Sequence, residues 1–148
     1  METLNLARQA AAAVILVGIT LWLQCAGMAV LIHRARVDLA RATPGVNPWR
    51  AAVLMVRLTT LAIVLHVLEI LVWAGFYRWH GLSSWESGFY FSASSYSTVG
   101  YTDVSLPGFW RSLAPLESIV GVLMCGMSVS VLLAIGAKLV EAETEATP

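Results

Sequence analysis

Residues 83–108 read SSWESGFYFSASSYSTVGYTDVSLPG, and this stretch decides how the rest of the chain is interpreted. It is rich in serine, glycine, threonine and aromatic residues, so it is too polar to cross a membrane and too apolar for a solvated loop. Long apolar runs lie on both sides of it. This arrangement predicts a re-entrant segment, which enters the bilayer and leaves it on the same side.

The composition of the whole chain indicates a membrane protein. Hydrophobic residues make up 58% of the 148 residues and charged residues 12%, against roughly 45–50% and about 25% in soluble domains. Three runs, 10–32, 52–76 and 113–140, are long enough to cross about 30 Å of hydrocarbon as helices. Little chain remains for a soluble catalytic domain, so we expect no enzyme. Cys25 and Cys125 lie inside apolar runs and are predicted to act as small hydrophobic residues.

Charge asymmetry predicts the orientation. The link between the first two runs carries Arg34, Arg36, Arg41 and Arg50 against the single acid Asp38, and the positive-inside rule places such a link in the cytoplasm. The N-terminus and the re-entrant segment then lie outside, and the acidic C-terminus lies inside. Aromatic residues are expected to form interfacial belts, with Trp73, Tyr77, Trp79 and Trp110 at the outer interface and Trp49 at the inner one.

A short helix is predicted at the start of the re-entrant segment. Ser83 and Glu86 have the spacing of a capping box, in which each side chain bonds the other residue's amide. The helix runs about 12 residues to Tyr96, roughly 18 Å, which is only part of the bilayer thickness. Its C-terminus carries about half a negative charge, beside which a cation could rest.

Directly after this helix, residues 98–103 read TVGYTD. They resemble the T-V-G-Y-G-D signature of the potassium channel pore-domain family, in its bacterial form with two helices and a pore loop, here with an additional N-terminal helix. The resemblance covers about residues 52–140. It implies an all-α membrane protein with three transmembrane helices and a re-entrant pore helix and filter loop between the second and third. It also implies a homotetramer in the bacterial plasma membrane that conducts potassium passively, with lipids and potassium ions as partners and no cofactor or nucleic acid.

The resemblance also divides the chain. Residues 1–50 are expected to form the N-terminal helix and basic linker, residues 51–140 the pore domain, and residues 141–148 a short acidic tail. Within the pore domain the outer helix covers 52–77, the pore helix 84–96, the filter 98–103 and the inner helix 111–138.

Filter roles follow from the same resemblance. The carbonyls of Thr98, Val99, Gly100 and Tyr101, with the Thr98 hydroxyl, would replace the hydration shell of potassium. Carbonyls that all face one axis require alternating backbone handedness, hence glycine at 100, where φ is positive. The Val99 and Tyr101 side chains would pack on the pore helix. The residues expected to support the filter are Tyr90, Phe91, Ser94, Asp103 and Glu117.

Thr102 departs from the family signature, because it replaces the second filter glycine. A β-branched residue in a left-handed conformation costs on the order of 1–3 kcal/mol in each subunit. Two alternatives to a potassium channel therefore stay open: a weakly selective cation channel, and a non-conducting scaffold or regulatory subunit.

Several polar or small residues in the helices have two interpretations. For Gly121 and Gly126 of the inner helix, we favour a role in close packing over a role as a hinge. Glu117 is either solvated or near the back of the filter. His66 and Glu69 share a face of the second helix. We favour a hydrogen-bonded pair that fixes packing over a proton sensor at this place. Gln24 is predicted to bond another helix. No segment resembles a ligand-binding domain, so no gating stimulus is predicted.

Overall fold

The computed structural model describes residues 2–40, 48–100, 106 and 108–144. The chain forms α1 (Glu2–Ala40), α2 (Pro48–His80), α3 (Trp85–Tyr96), a 3-10 turn (Gly108–Trp110) and α4 (Leu113–Thr144). Three helices, α1, α2 and α4, are long and apolar enough to cross a membrane. α3 has only 12 residues and lies between α2 and α4. The predicted all-α membrane fold with a short intervening helix is confirmed.

The long helices extend beyond their predicted bounds. α1 continues to Ala40, so Arg34 and Arg36 of the predicted basic link lie in the helix. α4 continues to Thr144 and takes in the first half of the residues assigned to the acidic tail. The apolar runs did not predict the helix ends, because a helix can continue past the hydrocarbon where no residue interrupts it.

The start of α3 corrects the predicted capping box. Ser84, not Ser83, is the N-cap: its backbone is extended, with φ −139°, and its hydroxyl accepts a hydrogen bond from the Ser87 amide at 3.0 Å. Ser84 and Ser87 have the same three-residue spacing as Ser83 and Glu86, so sequence spacing could not distinguish the two caps. Glu86 lies in the first turn, where its charge favours the helix N-terminus.

α1 runs parallel to α4, and α2 runs antiparallel to both. Near the N-termini of α1 and α4, the Gln9 amide contacts Ser112. Toward the opposite ends, the three helices share an apolar cluster. Its buried members are Met28, Leu31 and Ala35 of α1, Leu54, Leu58, Ala62 and Leu65 of α2, and Ile135 and Leu139 of α4.

A second apolar cluster surrounds α3 and corrects the predicted outer aromatic belt. Trp73, Tyr77 and Trp110 are buried in it, while Trp79 and Trp49 are exposed as a belt requires. Trp73 and Tyr77 find polar partners inside the protein. The Trp73 indole donates to the Thr20 hydroxyl of α1 at 3.0 Å, so Trp73 joins α1 to α2 and does not face the interface.

Cys25 and Cys125 are both free thiols on the exposed surface of the chain. Their side chains face outward from the helices and do not contribute to the core.

Candidate functional site

The last turn of α3 leads directly into the predicted filter. The Ser97 amide donates to the Ala93 carbonyl, and the Thr98 amide donates to the Ser95 carbonyl, each at 3.0 Å. Two residues later, the Gly100 amide donates to the Ser94 carbonyl, also at 3.0 Å. These bonds tie the first filter residues to the helix end, since each anchors an amide of the segment to a carbonyl of α3.

The backbone of this segment changes handedness from residue to residue. Thr98 has φ 63° and Gly100 has φ 71°, while Val99 between them is not in the left-handed region. The positive φ predicted for Gly100 is observed. The positive φ at Thr98 was not predicted; it is unusual for a β-branched residue and costs about 1–3 kcal/mol. Tyr101, Thr102 and Asp103 lie outside the described residues, so their predicted roles stay predictions.

The segment is exposed in the single chain. Thr98, Val99 and Gly100 all lie on its surface, and 60% of the Val99 side chain is accessible. Tyr90 of α3 is also exposed. Phe91 faces the other way: it is buried edge-on against Tyr77 of α2, with ring centroids 5.0 Å apart. Support of the filter by these two aromatic residues therefore stays a prediction, and in the single chain Phe91 fixes α3 to α2.

Ser94 and Glu117 are both buried, but only Ser94 has a hydrogen bond to the predicted filter among the described contacts. Ser94 is buried and acts through its carbonyl, which accepts the Gly100 amide. Glu117 of α4 is fully buried and is not solvated. Its carboxyl oxygens lie 2.7 Å from the Tyr77 hydroxyl and 2.5 Å from the Ser92 hydroxyl. Glu117 thus joins α4 to α2 and to the middle of α3, and its support of the filter stays a prediction.

A second buried carboxyl group lies at the end of α3. The Tyr96 hydroxyl donates to Glu69 Oε2 of α2. His66 Nδ1 lies 2.9 Å from the Tyr96 hydroxyl and 3.4 Å from Glu69 Oε2. The predicted pairing of His66 with Glu69 is observed, and Tyr96 is a third member that the sequence did not predict. Together the three side chains connect α2 to the residue that ends α3.

This polar group continues to the other two helices. His66 Nε2 lies 3.0 Å from the Ser128 hydroxyl of α4. The Gln24 amide of α1 donates to the same hydroxyl at 3.0 Å and to the Met124 carbonyl at 2.8 Å. The interhelical bond predicted for Gln24 is confirmed, and Ser128 is buried at a junction of three helices.

A protein family model described as ion channel matches residues 59–138, more than half of the chain. The chain belongs to the ion channel family. The match begins within α2, includes α3 and the exposed segment, and ends within α4. No curated protein and no solved structure matches the chain. The family supports a transport role in which this channel conducts ions passively through the membrane.

The two glycines considered as hinges of the channel differ in their surroundings. A Cβ atom at Gly121 of α4 would clash with the carbonyl oxygen of Tyr96. A Cβ atom at Gly126 would meet nothing within 4 Å. Gly121 therefore allows α4 to lie directly against the end of α3, which agrees with the packing interpretation. Gly126 carries no such contact within the chain.

Sequence reasoning missed Tyr96, Ser92 and Tyr77 as partners of the two buried carboxyl groups. Only one signal pointed toward them: Glu69 and Glu117 are acids inside apolar runs, and buried acids require polar partners. The identity of those partners could not be read from spacing, because Glu69 and Tyr96 are 27 residues apart and Tyr77 and Glu117 are 40 apart.

Proposed function

We propose that the protein is a potassium channel in which four copies surround a pore lined by residues 98–102. The observation that carries this proposal is the pair of positive φ angles at Thr98 and Gly100 in an exposed segment that follows a short helix. Membership of the ion channel family supports conduction, and the filter motif supports potassium as the ion.

Alternating handedness has a direct chemical consequence. In an extended strand successive carbonyls point to opposite sides, whereas residues of alternating handedness turn successive carbonyls toward one side. A row of carbonyl oxygens on one side can replace the hydration shell of a cation. The Thr98 hydroxyl would add a further oxygen at the inner end. Because one chain exposes this segment and encloses nothing, several copies are needed to surround an ion.

The rest of the structure would hold the segment in place. α3 directs its C-terminus toward Thr98, and the partial negative charge of that end favours a nearby cation. Hydrogen bonds from Thr98 and Gly100 to α3 carbonyls fix the start of the filter. We propose further that the N-terminus lies outside and the C-terminus in the cytoplasm of a bacterial plasma membrane, because the arginines cluster between α1 and α2.

Ion flux into proteoliposomes tests the proposal. Purified protein is reconstituted, and uptake is measured separately for potassium and for sodium under the same gradient. Potassium uptake that exceeds sodium uptake by about tenfold or more, a difference of about 1.4 kcal/mol between the ions, supports a potassium channel. Comparable uptake of the two ions would favour the weakly selective cation channel. No uptake from well-folded oligomers would favour the non-conducting scaffold.

Replacement of the unusual filter residue is the second test. Thr102→Gly restores the glycine of the family signature, so we expect a higher ratio of potassium to sodium flux than in the parent protein. Thr60→Val is the matched control, because Thr60 is exposed on α2 and its hydroxyl bonds only the preceding turn among the described contacts. An unchanged ratio in Thr102→Gly would show that position 102 does not limit selectivity.

A further inference from the structure

We propose that Glu69 is a positioning residue for the ion pathway, acting through the hydroxyl group of Tyr96. The proposal rests on the proposed function, because it takes residues 98–101 as the ion-binding segment. Glu69 lies on α2, and none of its described hydrogen bonds is to Thr98, Val99 or Gly100. It reaches that segment through Tyr96, the last residue of α3.

The surroundings of Glu69 indicate a specific role. The side chain is fully buried, Oε2 accepts the Tyr96 hydroxyl, and Oε1 has no hydrogen-bond partner among the described residues. An acid inside a membrane helix is costly and is retained where it serves function or pairs with another group. Packing alone would be served better by leucine, since an apolar side chain of similar size needs no partner.

Tyr96 is held from two sides. Its hydroxyl is bound by α2, and its carbonyl lies against Gly121 of α4 so closely that no Cβ atom fits there. Its ring is only 3% exposed. Ser97 alone separates Tyr96 from Thr98, whose amide is bonded to the Ser95 carbonyl. A shift of the Tyr96 ring would therefore move the first residues of the exposed segment.

The number of hydrogens on each side chain decides which atoms donate and which accept in this polar group. The single hydroxyl hydrogen of Tyr96 goes to Glu69, so the approach of His66 Nδ1 to the Tyr96 oxygen requires that Nδ1 carry a hydrogen and donate it. His66 Nε2 then accepts from Ser128 when the ring is neutral, and the Ser128 oxygen accepts from Gln24. The donors run from Gln24 through Ser128, His66 and Tyr96, and the series of hydrogen bonds ends on Oε2 of Glu69.

This direction gives Glu69 and His66 distinct roles. Glu69 is the final acceptor, and it fixes the Tyr96 hydroxyl. His66 holds the other side of the same oxygen and links it to α4 and α1. α1 lies outside the residues matched by the family model, yet Gln24 of α1 is part of this series of hydrogen bonds. The N-terminal helix is thus connected to the end of α3 by side-chain hydrogen bonds.

Four single variants test the proposal. Glu69→Leu removes the acceptor, and Tyr96→Phe removes the donor while it keeps the ring. Glu69→Gln keeps an acceptor oxygen and is the conservative rescue, and Thr60→Val is the matched control on the same helix. Two properties are measured on purified, reconstituted protein: the ratio of potassium to sodium flux, and amide hydrogen exchange of residues 94–100 compared with residues 10–30.

Removing the bond should affect the exposed segment specifically. We expect Glu69→Leu and Tyr96→Phe to lower the flux ratio about tenfold and to speed exchange at residues 94–100 about tenfold, since the hydrogen bond between Tyr96 and Glu69 is lost and the remaining partner stays buried without it. Exchange at residues 10–30 should not change. Glu69→Gln and Thr60→Val should stay within about twofold of the parent protein in both measurements.

The outcomes separate this proposal from the proposed function. If the parent protein does not distinguish potassium from sodium, the proposed selectivity fails, and hydrogen exchange at residues 94–100 decides the role of Glu69. Unchanged exchange and unchanged flux ratio in Glu69→Leu overturn the proposal. Faster exchange throughout the protein also overturns it, because Glu69 would then stabilise the fold generally. If Glu69→Leu does not fold, Tyr96→Phe decides by the same two measurements.

Discussion

Thr98 and Gly100 show how much of the predicted filter depends on single backbone angles. Both have positive φ, and only one of them is glycine. The strain predicted at Thr102 stays a prediction, because that residue lies outside the described residues, and Thr98, where no strain was predicted, adopts the left-handed conformation. A left-handed L-residue costs roughly 1–2 kcal/mol. The amides of Thr98 and Gly100 donate to α3 carbonyls, and these bonds help to hold Thr98 in this conformation.

Gly100→Ala tests the requirement for a positive φ. A Cβ atom at Gly100 would meet no described residue within 4 Å, so the effect expected here comes from the backbone conformation and not from a clash with the described residues. We expect potassium flux to fall strongly while the protein still folds and assembles, because each chain would be strained by roughly 1–2 kcal/mol. Flux assays with oligomer size measured in parallel check this. Flux equal to that of the parent protein would contradict it.

Glu117 makes a separate prediction about buried carboxyl groups. Glu117→Gln keeps an oxygen that can accept the Tyr77 hydroxyl and adds an NH₂ group that can donate to Ser92, so we expect stability within about 1 kcal/mol of the parent protein. Glu117→Leu leaves Tyr77 and Ser92 without this partner and should lower the free energy of unfolding by about 1–3 kcal/mol. Thermal unfolding in detergent measures both variants. Equal losses in the two would show that charge, and not hydrogen bonding, matters at this position.

At the scale of elements, α3 is the part whose position matters most. α2 holds it through Phe91 on Tyr77 and through Tyr96 on Glu69, and α4 holds it through Glu117 and Ser118. The Ser118 hydroxyl donates to the Ser95 carbonyl at 2.6 Å. Contacts with two spanning helices thus fix an element that is too short to be stable alone.

The two inner-helix glycines form a matched pair. Gly121→Ala places a methyl group against the Tyr96 carbonyl, so we expect α3 to be displaced and the free energy of unfolding to fall by about 1–3 kcal/mol. Gly126→Ala meets no described residue within 4 Å and should not lower stability, because alanine favours a helix over glycine. Thermal unfolding compares the two. If both variants unfold at the temperature of the parent protein, the close approach of α4 to α3 is not a stabilising feature.

Gln24 tests how firmly α1 is attached. Gln24→Leu removes bonds to the Met124 carbonyl and to Ser128, and interhelical bonds of this kind contribute on average about 0.6 kcal/mol and at most about 1.7 kcal/mol in membranes. We expect the free energy of unfolding to fall by an amount in that range, which thermal unfolding measures. Ser130→Ala is the control, because Ser130 is exposed and its hydroxyl bonds the Gly126 carbonyl of its own helix. A larger loss in Ser130→Ala would contradict this assignment.

At the scale of the molecule, three helices that are long and apolar enough to cross a membrane predict that the two termini lie on opposite sides of it. Large apolar side chains such as Val14, Trp22 and Leu133 are exposed along all three helices, as expected for surfaces that meet lipid or other copies of the chain. Arg57 of α2 pairs with Asp38 of α1 at 3.7 Å near the arginine-rich end. This end is the one that charge asymmetry assigns to the cytoplasm.

Thiol labelling tests the orientation. Cys25 and Cys125 are first replaced by alanine, and then Thr3→Cys and Lys138→Cys are made separately; both positions are exposed. A membrane-impermeant reagent should label Thr3→Cys in intact cells, and Lys138→Cys only after permeabilisation, because the arginines keep the other end inside. The reverse pattern would contradict the predicted topology.

Cross-linking of the same purified protein should stop at four chains if the tetramer forms.

The sequence by itself determined the features encoded over short distances. The length of the apolar runs predicted the three helices able to span the membrane, and serine spacing predicted a capped short helix, with an error of one residue. The three-residue spacing of His66 and Glu69 predicted their pairing, since residues three apart share a helix face. The filter motif predicted a positive φ at Gly100. Each of these depends on neighbours within a few residues.

The tertiary structure alone decided which distant side chains meet. Tyr96 reaches Glu69 across 27 residues, and Gln24 reaches Ser128 across 104. Trp73 is buried against Thr20, although its sequence position suits an interfacial belt. Hydrophobic periodicity determines which face of a helix is apolar, but the crossing and rotation of helices come from the packing of all their side chains together. The partners of the buried carboxyl groups were therefore visible only once the helices were assembled.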